Sequence, residues 1–258
     1  VSNDPMLLWM FGTRAPHHPL MRPPAVALRD FFAPSHFLIC RSAKSTKRKF
    51  AATFLGGNNG VNHNHNDLGT FTVLLDGKAL IYDPGPEVYS MRTFSVDRYD
   101  SQLLNSYGHP VPRIGGQLQT EGPTHQVPTL MTEFTDDVDR MLLDLRGAYD
   151  CPTLRKLERD FIFDRRGDGS LTITDTVEFS EPTEYESAMI TSGEVTETEQ
   201  GLRFADGDTA IRIEYTADNA GLQVSRDTIN QPPHPTRVAI STSEKVTALS
   251  LRFVIRPA

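Results

Sequence analysis

From residue 36 to its end, the chain is a succession of short β-type runs cut by turn signals, and that rhythm limits what it can fold into. The first runs cover 36–41, 50–55, 70–76 and 79–83, with Asp76-Gly77 as a hairpin turn between the last two. The second half continues with 131–134, 141–146, 154–164, 170–179, 185–191, 210–215, 238–243 and 246–255. Asp164-Arg165-Arg166-Gly167-Asp168-Gly169 reads as another hairpin loop. No strongly amphipathic helix of useful length, internal repeat or low-complexity tail is visible in this region. Many short strands at regular spacing predict an all-β protein, a large two-sheet antiparallel β-sandwich. Face assignment is open in places: Ile173, Asp175 and Val177 alternate as a strand should, yet the middle residue is charged.

Residues 1–35 differ. Pro5-Met6-Leu7-Leu8-Trp9-Met10-Phe11-Gly12 suits a last helical turn, and the Pro- and His-rich stretch 13–24 suits neither a regular helix nor a central strand. We therefore divide the chain into a non-β lead-in, 1–35, and a sandwich domain, 36–258.

Composition excludes some functions. Hydrophobic residues make up 38%, with no apolar run near the roughly 20 residues a membrane-spanning helix needs. The net charge of −7 argues against a nucleic-acid binder. Cys40 and Cys151 can form one disulfide or stay as thiols. The chain starts at Val1 without a charged segment and apolar core, so no signal peptide is visible, and we expect a fragment of a longer protein.

The chemistry concentrates in Asn62-His63-Asn64-His65-Asn66-Asp67, opening into Leu68-Gly69-Thr70-Phe71. On an extended backbone, His63 and His65 would share a face, with Asn62 and Asn64 turned away to orient the backbone. Further along come Asp83-Pro84-Gly85, Tyr89, and Asn105-Ser106-Tyr107-Gly108-His109-Pro110-Val111-Pro112. His65, Asp83 and His109 lie 18 and 26 residues apart, spacings that in a sheet protein bring strand ends to one rim. Two imidazoles and a carboxylate suit Zn²⁺. From spacing alone, both histidines hydrogen-bonding within loops is the commoner reading.

This series, His63-x-His65-x-Asp67-x-Gly69-x-Phe71, then Asp83-Pro84-Gly85 with Tyr89, then His109, resembles the C-terminal β-sandwich domain of heparinase II/III-like polysaccharide lyases. The stretches 28–42 and 154–175 fit the same pattern. By position, the resemblance implies that His65, Asp83 and His109 are zinc ligands, the metal being mainly structural. Many members have His-Asn-Thr where this chain has His109-Pro110-Val111, so the backbone beside the third ligand must differ.

The resemblance also implies chemistry: β-elimination from uronic-acid polysaccharides such as heparan sulfate or alginate. A base removes the proton at C5, and the oxygen at C4 leaves with a proton from an acid. His63 is the first catalytic candidate, for carboxylate neutralisation or proton transfer, and its alternative is a packing role. Tyr99 is the second, with Tyr89 and Tyr107 as competitors. Arg92 and Arg98, and after them Arg113, are candidate carboxylate partners, with an ordinary surface position the commoner reading for each. Lys44, Lys47, Arg48 and Lys49 suit a solvated hairpin tip. Asp67 is read as a loop-shaping hydrogen-bond acceptor.

Relatives of this kind carry a helical toroid ahead of the sandwich. The resemblance therefore implies a partner domain, one wall of an active site on this chain, little or no lyase activity in isolation, and a periplasmic or secreted location suited to an acidic polysaccharide. The competing function is a non-catalytic, metal-stabilised sandwich that binds acidic glycans or packs against a partner domain. A purely structural zinc site does not need His63, whereas a lyase wall does.

Overall fold

The computed structural model describes residues 26–258, so the apolar piece and connector of the lead-in lie outside the described residues. Before residue 85 the chain forms β1 (Arg29–Phe32), β2 (Phe37–Arg41), β3 (Phe50–Leu55), β4 (Gly57–Asn59), β5 (Phe71–Leu75) and β6 (Lys78–Ile81). After a long loop come β7 (Pro112–Ile114), β8 (Gly122–Val127), β9 (Thr129–Phe134), β10 (Val138–Asp144), β11 (Leu154–Asp164), β12 (Ser170–Thr183) and β13 (Tyr185–Thr191). The remainder forms β14 (Glu194–Thr198), β15 (Gly201–Asp206), β16 (Thr209–Ala217), β17 (Leu222–Thr228), β18 (Thr236–Thr242) and β19 (Val246–Pro257).

One layer is an eight-stranded antiparallel sheet in the order β14-β15-β16-β19-β12-β11-β10-β9. The facing layer is divided: a five-stranded sheet, β1-β2-β3-β5-β6, and a four-stranded sheet, β17-β18-β13-β7. The Tyr82 N–H donates to Ile190 O across the seam between them. A small ribbon, β4-β8, lies beside them. The expected sandwich is present, with the second sheet in two parts.

Alternation explains the layers. Along β11, Leu157, Arg159, Phe161 and Phe163 point inward, and opposite them on β12 so do Leu171, Ile173, Asp175 and Val177. Phe50 and Phe54 of β3 stack on Phe163 and Phe161, with ring centroids 5.5 and 4.3 Å apart. Aromatic pairs at such separations add roughly 0.5–1.5 kcal/mol beyond the area they bury. The charge in the β12 pattern is settled: Asp175 faces the core because Arg159, its register partner on β11, carries the complementary charge there.

One sequence expectation needs correction, and one open alternative is resolved. The sheet begins at Arg29, inside the stretch read as a non-β lead-in, because Phe31 packs on Phe134 and Arg29 pairs with buried Asp139. Cys40 and Cys151 are both free thiols. Among the described residues, no helix is long and apolar enough to cross a membrane.

Candidate functional site

Three connections converge at one rim of the sandwich: the loop from β4 to β5, the turn after β6, and the short 3₁₀ turn Ser106–Gly108 leading into β7. They bring together His65, Asp67 and His109, with candidate ligand atoms all within 4.8 Å of one another. Asp83 joins them through His109, with its carboxylate oxygen 2.7 Å from Nδ1.

The first loop does not run as an extended strand. His63 takes a left-handed conformation, φ 58°, and turns the chain. After that turn, His65 and Asp67 face the cluster while Asn64 and Asn66 face inward and are buried. The expected shared face of His63 and His65 is therefore replaced by one of His65 and Asp67. Asn64 faces the protein interior, on the side of the loop opposite His65.

The buried side is a network of amides. Asn64 Nδ2 donates to Asn66 Oδ1 at 3.2 Å and to Asn59 Oδ1 at 3.5 Å, and Asn59 Nδ2 donates to Thr120 O at 2.9 Å. Gln119 clasps the backbone of Leu68, accepting from its N–H at 3.1 Å and donating to its C=O at 2.7 Å. Asn66 N–H donates to Leu104 O, which binds this loop to the one carrying His109. Buried amides with partners on both ends specify one backbone path. Gly69 completes it: at φ 86° its Cα lies against Leu145, and a Cβ would come within 2.6 Å of Leu145 Cδ2.

His109 is fully buried, and its Nε2–H donates to Leu103 O at 3.0 Å, which leaves Nδ1 for the cluster. Burial disfavours the charged ring, but the Asp83 carboxylate outweighs that and lifts His109 to about 9. Asp83 is correspondingly held below the ordinary carboxylate range: burial raises it, and His109 outweighs burial. Burial, with His109 adding, lowers His65 to about 4, so its imidazole is neutral and ready to ligate. Burial pushes Asp67 up to about 7, with His109 opposing and Asp83 adding.

The donor set fits a divalent cation. Two carboxylates and two imidazoles share a small buried space, and ionising Asp67 there is unfavourable without a compensating charge. The backbone carbonyl on His109 Nε2 is the usual outer partner of a metal-binding imidazole. Donors on one tetrahedral zinc lie about 3.3 Å apart. The 2.7 Å contact between His109 and Asp83 is therefore a hydrogen bond rather than the spacing of two donors on one ion. Asp67 was not among the expected ligands. Here it is the carboxylate grouped with both imidazoles, and Asp83 holds His109.

The other expected site residues divide. His63 is exposed and outside this cluster; its ring lies parallel to Tyr89 at 6.0 Å, with Phe94 edge-on at 6.2 Å. The Tyr89 hydroxyl is 3.5 Å from His63 Nδ1. Tyr99 is half-buried, with its hydroxyl 3.4 Å from Asn64 Nδ2. Arg98 grips Asn64 O through Nε and Nη2, at 3.2 and 2.7 Å, and Thr93 O through Nη1 at 2.7 Å. Arg92 pairs with Glu87 and reaches Arg98 O. Both guanidiniums expected to meet a substrate carboxylate are thus engaged within the protein, Arg92 by its own loop and Arg98 by its own loop and the one carrying His65. Tyr107 donates to Asp227 at 2.5 Å under the Arg237 guanidinium, which commits it to the β17–β18 side. Arg113 donates to Gly116 O beside a polar cleft of about 500 Å³ that contains none of the cluster residues.

Sequence comparison gives no further guide: no family model and no curated protein matches this chain. The fold does. It is the β-sandwich seen in solved structures of heparinase III and heparan sulfate lyase. Heparan sulfate lyase HepC from Pedobacter heparinus is similar with a TM-score of 0.72 and 14% identity, over 91% of this chain and 37% of that one. Two heparinase III structures are similar with TM-scores of 0.70 and 0.67, both at 16% identity, over 90% and 89% of this chain. This chain spans a little over a third of the length of each, 36% in both heparinase III structures.

Proposed function

We propose that this chain is the sandwich module of a polysaccharide lyase that cleaves uronic-acid polysaccharides by β-elimination. The observation that carries the reading is the cluster of His65, Asp67, Asp83 and His109 at the rim of a sandwich shared with heparan sulfate lyases. His65, Asp67 and His109, with Asp83 beside them, are the residues that would hold Zn²⁺. When bound, the ion supplies a cross-link between the rim segments and neutralises the buried carboxylates.

In the elimination, a base takes the C5 proton, the electron pair forms the C4–C5 double bond, and the C4–oxygen bond breaks as an acid protonates the leaving oxygen. That carbon acid is weak, so the enolate developing on the carboxylate needs positive or hydrogen-bonding groups around it. His63 is exposed at the rim and takes the role of neutralising the carboxylate or moving a proton. Tyr99, anchored on Asn64 beside the ligand loop, is the hydroxyl offered for proton transfer. Arg98 holds the loop that presents both. The remaining catalytic groups belong to a preceding domain across a cleft, and an acidic glycan substrate accords with a periplasmic or secreted site of action.

The test is elemental analysis of the purified chain, followed by lyase assay of the longer protein. About one zinc per chain, lost in His109→Ala, together with an unsaturated uronate product from heparan sulfate or alginate, supports the reading. Zinc without any elimination product in the longer protein turns it into a metal-stabilised binding or packing module. Absence of zinc removes the metal centre.

A further inference from the structure

Arg159 is a fully buried guanidinium on β11, in the interior of the largest sheet. Desolvating such a charge costs several kcal/mol, so its partners must satisfy it completely. They do: all five N–H donors of the side chain are used. Nε and Nη2 fork onto the two oxygens of Asp175 at 2.6 and 2.7 Å, and Nη2 also donates to Ser187 Oγ of the opposite layer at 2.8 Å. Tyr185 donates to Asp175 Oδ2 at 2.7 Å and holds the carboxylate in plane.

Those bonds alone make a structural ion pair. The remaining two leave the sheets. Nη1 donates to Gly69 O at 3.0 Å and to Pro110 O at 3.1 Å. Gly69 lies two residues beyond Asp67, and Pro110 directly follows His109. One planar nitrogen therefore joins the two loops that carry the cluster. Pro110 and Pro112 lack N–H donors but keep their carbonyls. Pro110 O rests on Arg159, and Pro112 O accepts from the Tyr149 hydroxyl at 2.6 Å.

We propose that Arg159, oriented by Asp175, is a positioning residue for the metal centre, its Nη1 fixing the separation of the His65–Asp67 loop from the His109 loop. This rests on the metal reading above. A lysine keeps the charge but not the fork, so it cannot hold Asp175 bidentately and both carbonyls at once.

Zinc affinity by chelator competition tests it, with folding followed by circular dichroism and the ligand field by the visible spectrum of the Co²⁺-loaded chain. Arg159→Lys is expected to fold, to bind zinc about tenfold or more weakly, and to shift the Co²⁺ bands. Arg140→Lys, which alters a bidentate pair with Asp160 that is partly open to solvent, is expected to change neither. Wild-type affinity and spectrum in Arg159→Lys overturn the positioning role and leave the metal reading standing. Absence of zinc from the wild type overturns both. If Arg159→Lys does not fold, guanidinium NMR on the wild type decides. Separate Arg159 Nη1 resonances that move on zinc addition support the proposal, and resonances indifferent to zinc overturn it.

Discussion

His109 and Asp83 meet at 2.7 Å, with the imidazole buried and its second nitrogen committed to Leu103 O. The pair holds a proton that the proposed cation would displace. With His109 lifted to about 9 and Asp67 to about 7, metal uptake at neutral pH releases protons. Apparent zinc affinity is expected to rise steadily from pH 6 to 9, measured by competition at fixed chelator strength after correction for the chelator's own protonation. A flat profile contradicts the protonated pair.

The same groups set how the metal-free chain responds to pH. His109 is raised above its ordinary 6.5, so its contribution is complete below that value and is lost as pH rises through about 9. Asp67, raised from 3.8 to about 7, acts in the same direction at lower pH. His65, lowered to about 4, acts oppositely: its contribution is lost as pH falls from 6.5 through 4. Below neutrality Asp67 and His65 oppose one another, so thermal melts of metal-free protein are expected to lose stability chiefly as pH rises from 6.5 through 9, and His109→Gln is expected to flatten that alkaline limb.

Asp67 gives a change of sign. At pH 8 its carboxylate is ionised in a buried site that disfavours it. Asp67→Asn is expected to stabilise the metal-free chain by roughly 1–3 kcal/mol while weakening zinc binding. His65→Ala is expected to release the metal and lower the melting temperature of the loaded chain only. Calorimetry with and without chelator reads both, and unchanged metal content in either variant removes that ligand.

Glu87 governs the loop that carries Tyr99. Burial works against its ionisation, but hydrogen bonds led by that from Thr93 Oγ1, at 2.6 Å, hold it down to about 2. Its contribution is present above the ordinary 4.5 and is lost as pH falls through about 2. Glu87→Gln is expected to cost about 1–3 kcal/mol at neutral pH, seen as faster amide exchange across residues 87–103 with zinc content unchanged.

His63 lies outside the cluster, packed against Tyr89 and Phe94. His63→Ala is expected to leave metal and fold intact and to abolish turnover in the longer protein. Retained turnover assigns His63 to packing. Tyr99→Phe is expected to behave likewise, lowering kcat with little change in KM.

β11 was readable in the sequence because its alternating apolar face fills the core, and β3 and β13 because nearly every residue of each is buried. β14 and β17 were not, since both are mostly exposed and carry no such signal. The inward direction of Asp175 depends on Arg159, sixteen residues earlier, and pairing across a hairpin is invisible until register is known. His65, Asp83 and His109 were legible as a spaced set. Asp67 was missed because the turn at His63 resets which residues share a face, and no local residue pattern announces a left-handed histidine. Gln119 and Arg159 act on backbone carbonyls, a role that no motif spells.

The amide network has a bearing on how the molecule ages. Asn59 is followed by Gly60, the dipeptide most prone to spontaneous deamidation, and the packing requires it: a Cβ at Gly60 would lie 2.5 Å from the Pro123 backbone. Deamidation begins when the Gly60 nitrogen attacks the Asn59 side chain. In the folded loop that nitrogen donates to Asn58 Oδ1, while the Asn59 amide is held on Thr120 O. Each opening of the loop releases both groups and exposes the chain to an irreversible change, one that puts a new negative charge into a network built for neutral amides. The working lifetime of the rim is therefore a count of its openings, and whatever keeps the loop shut, a bound cation included, also slows its chemical clock.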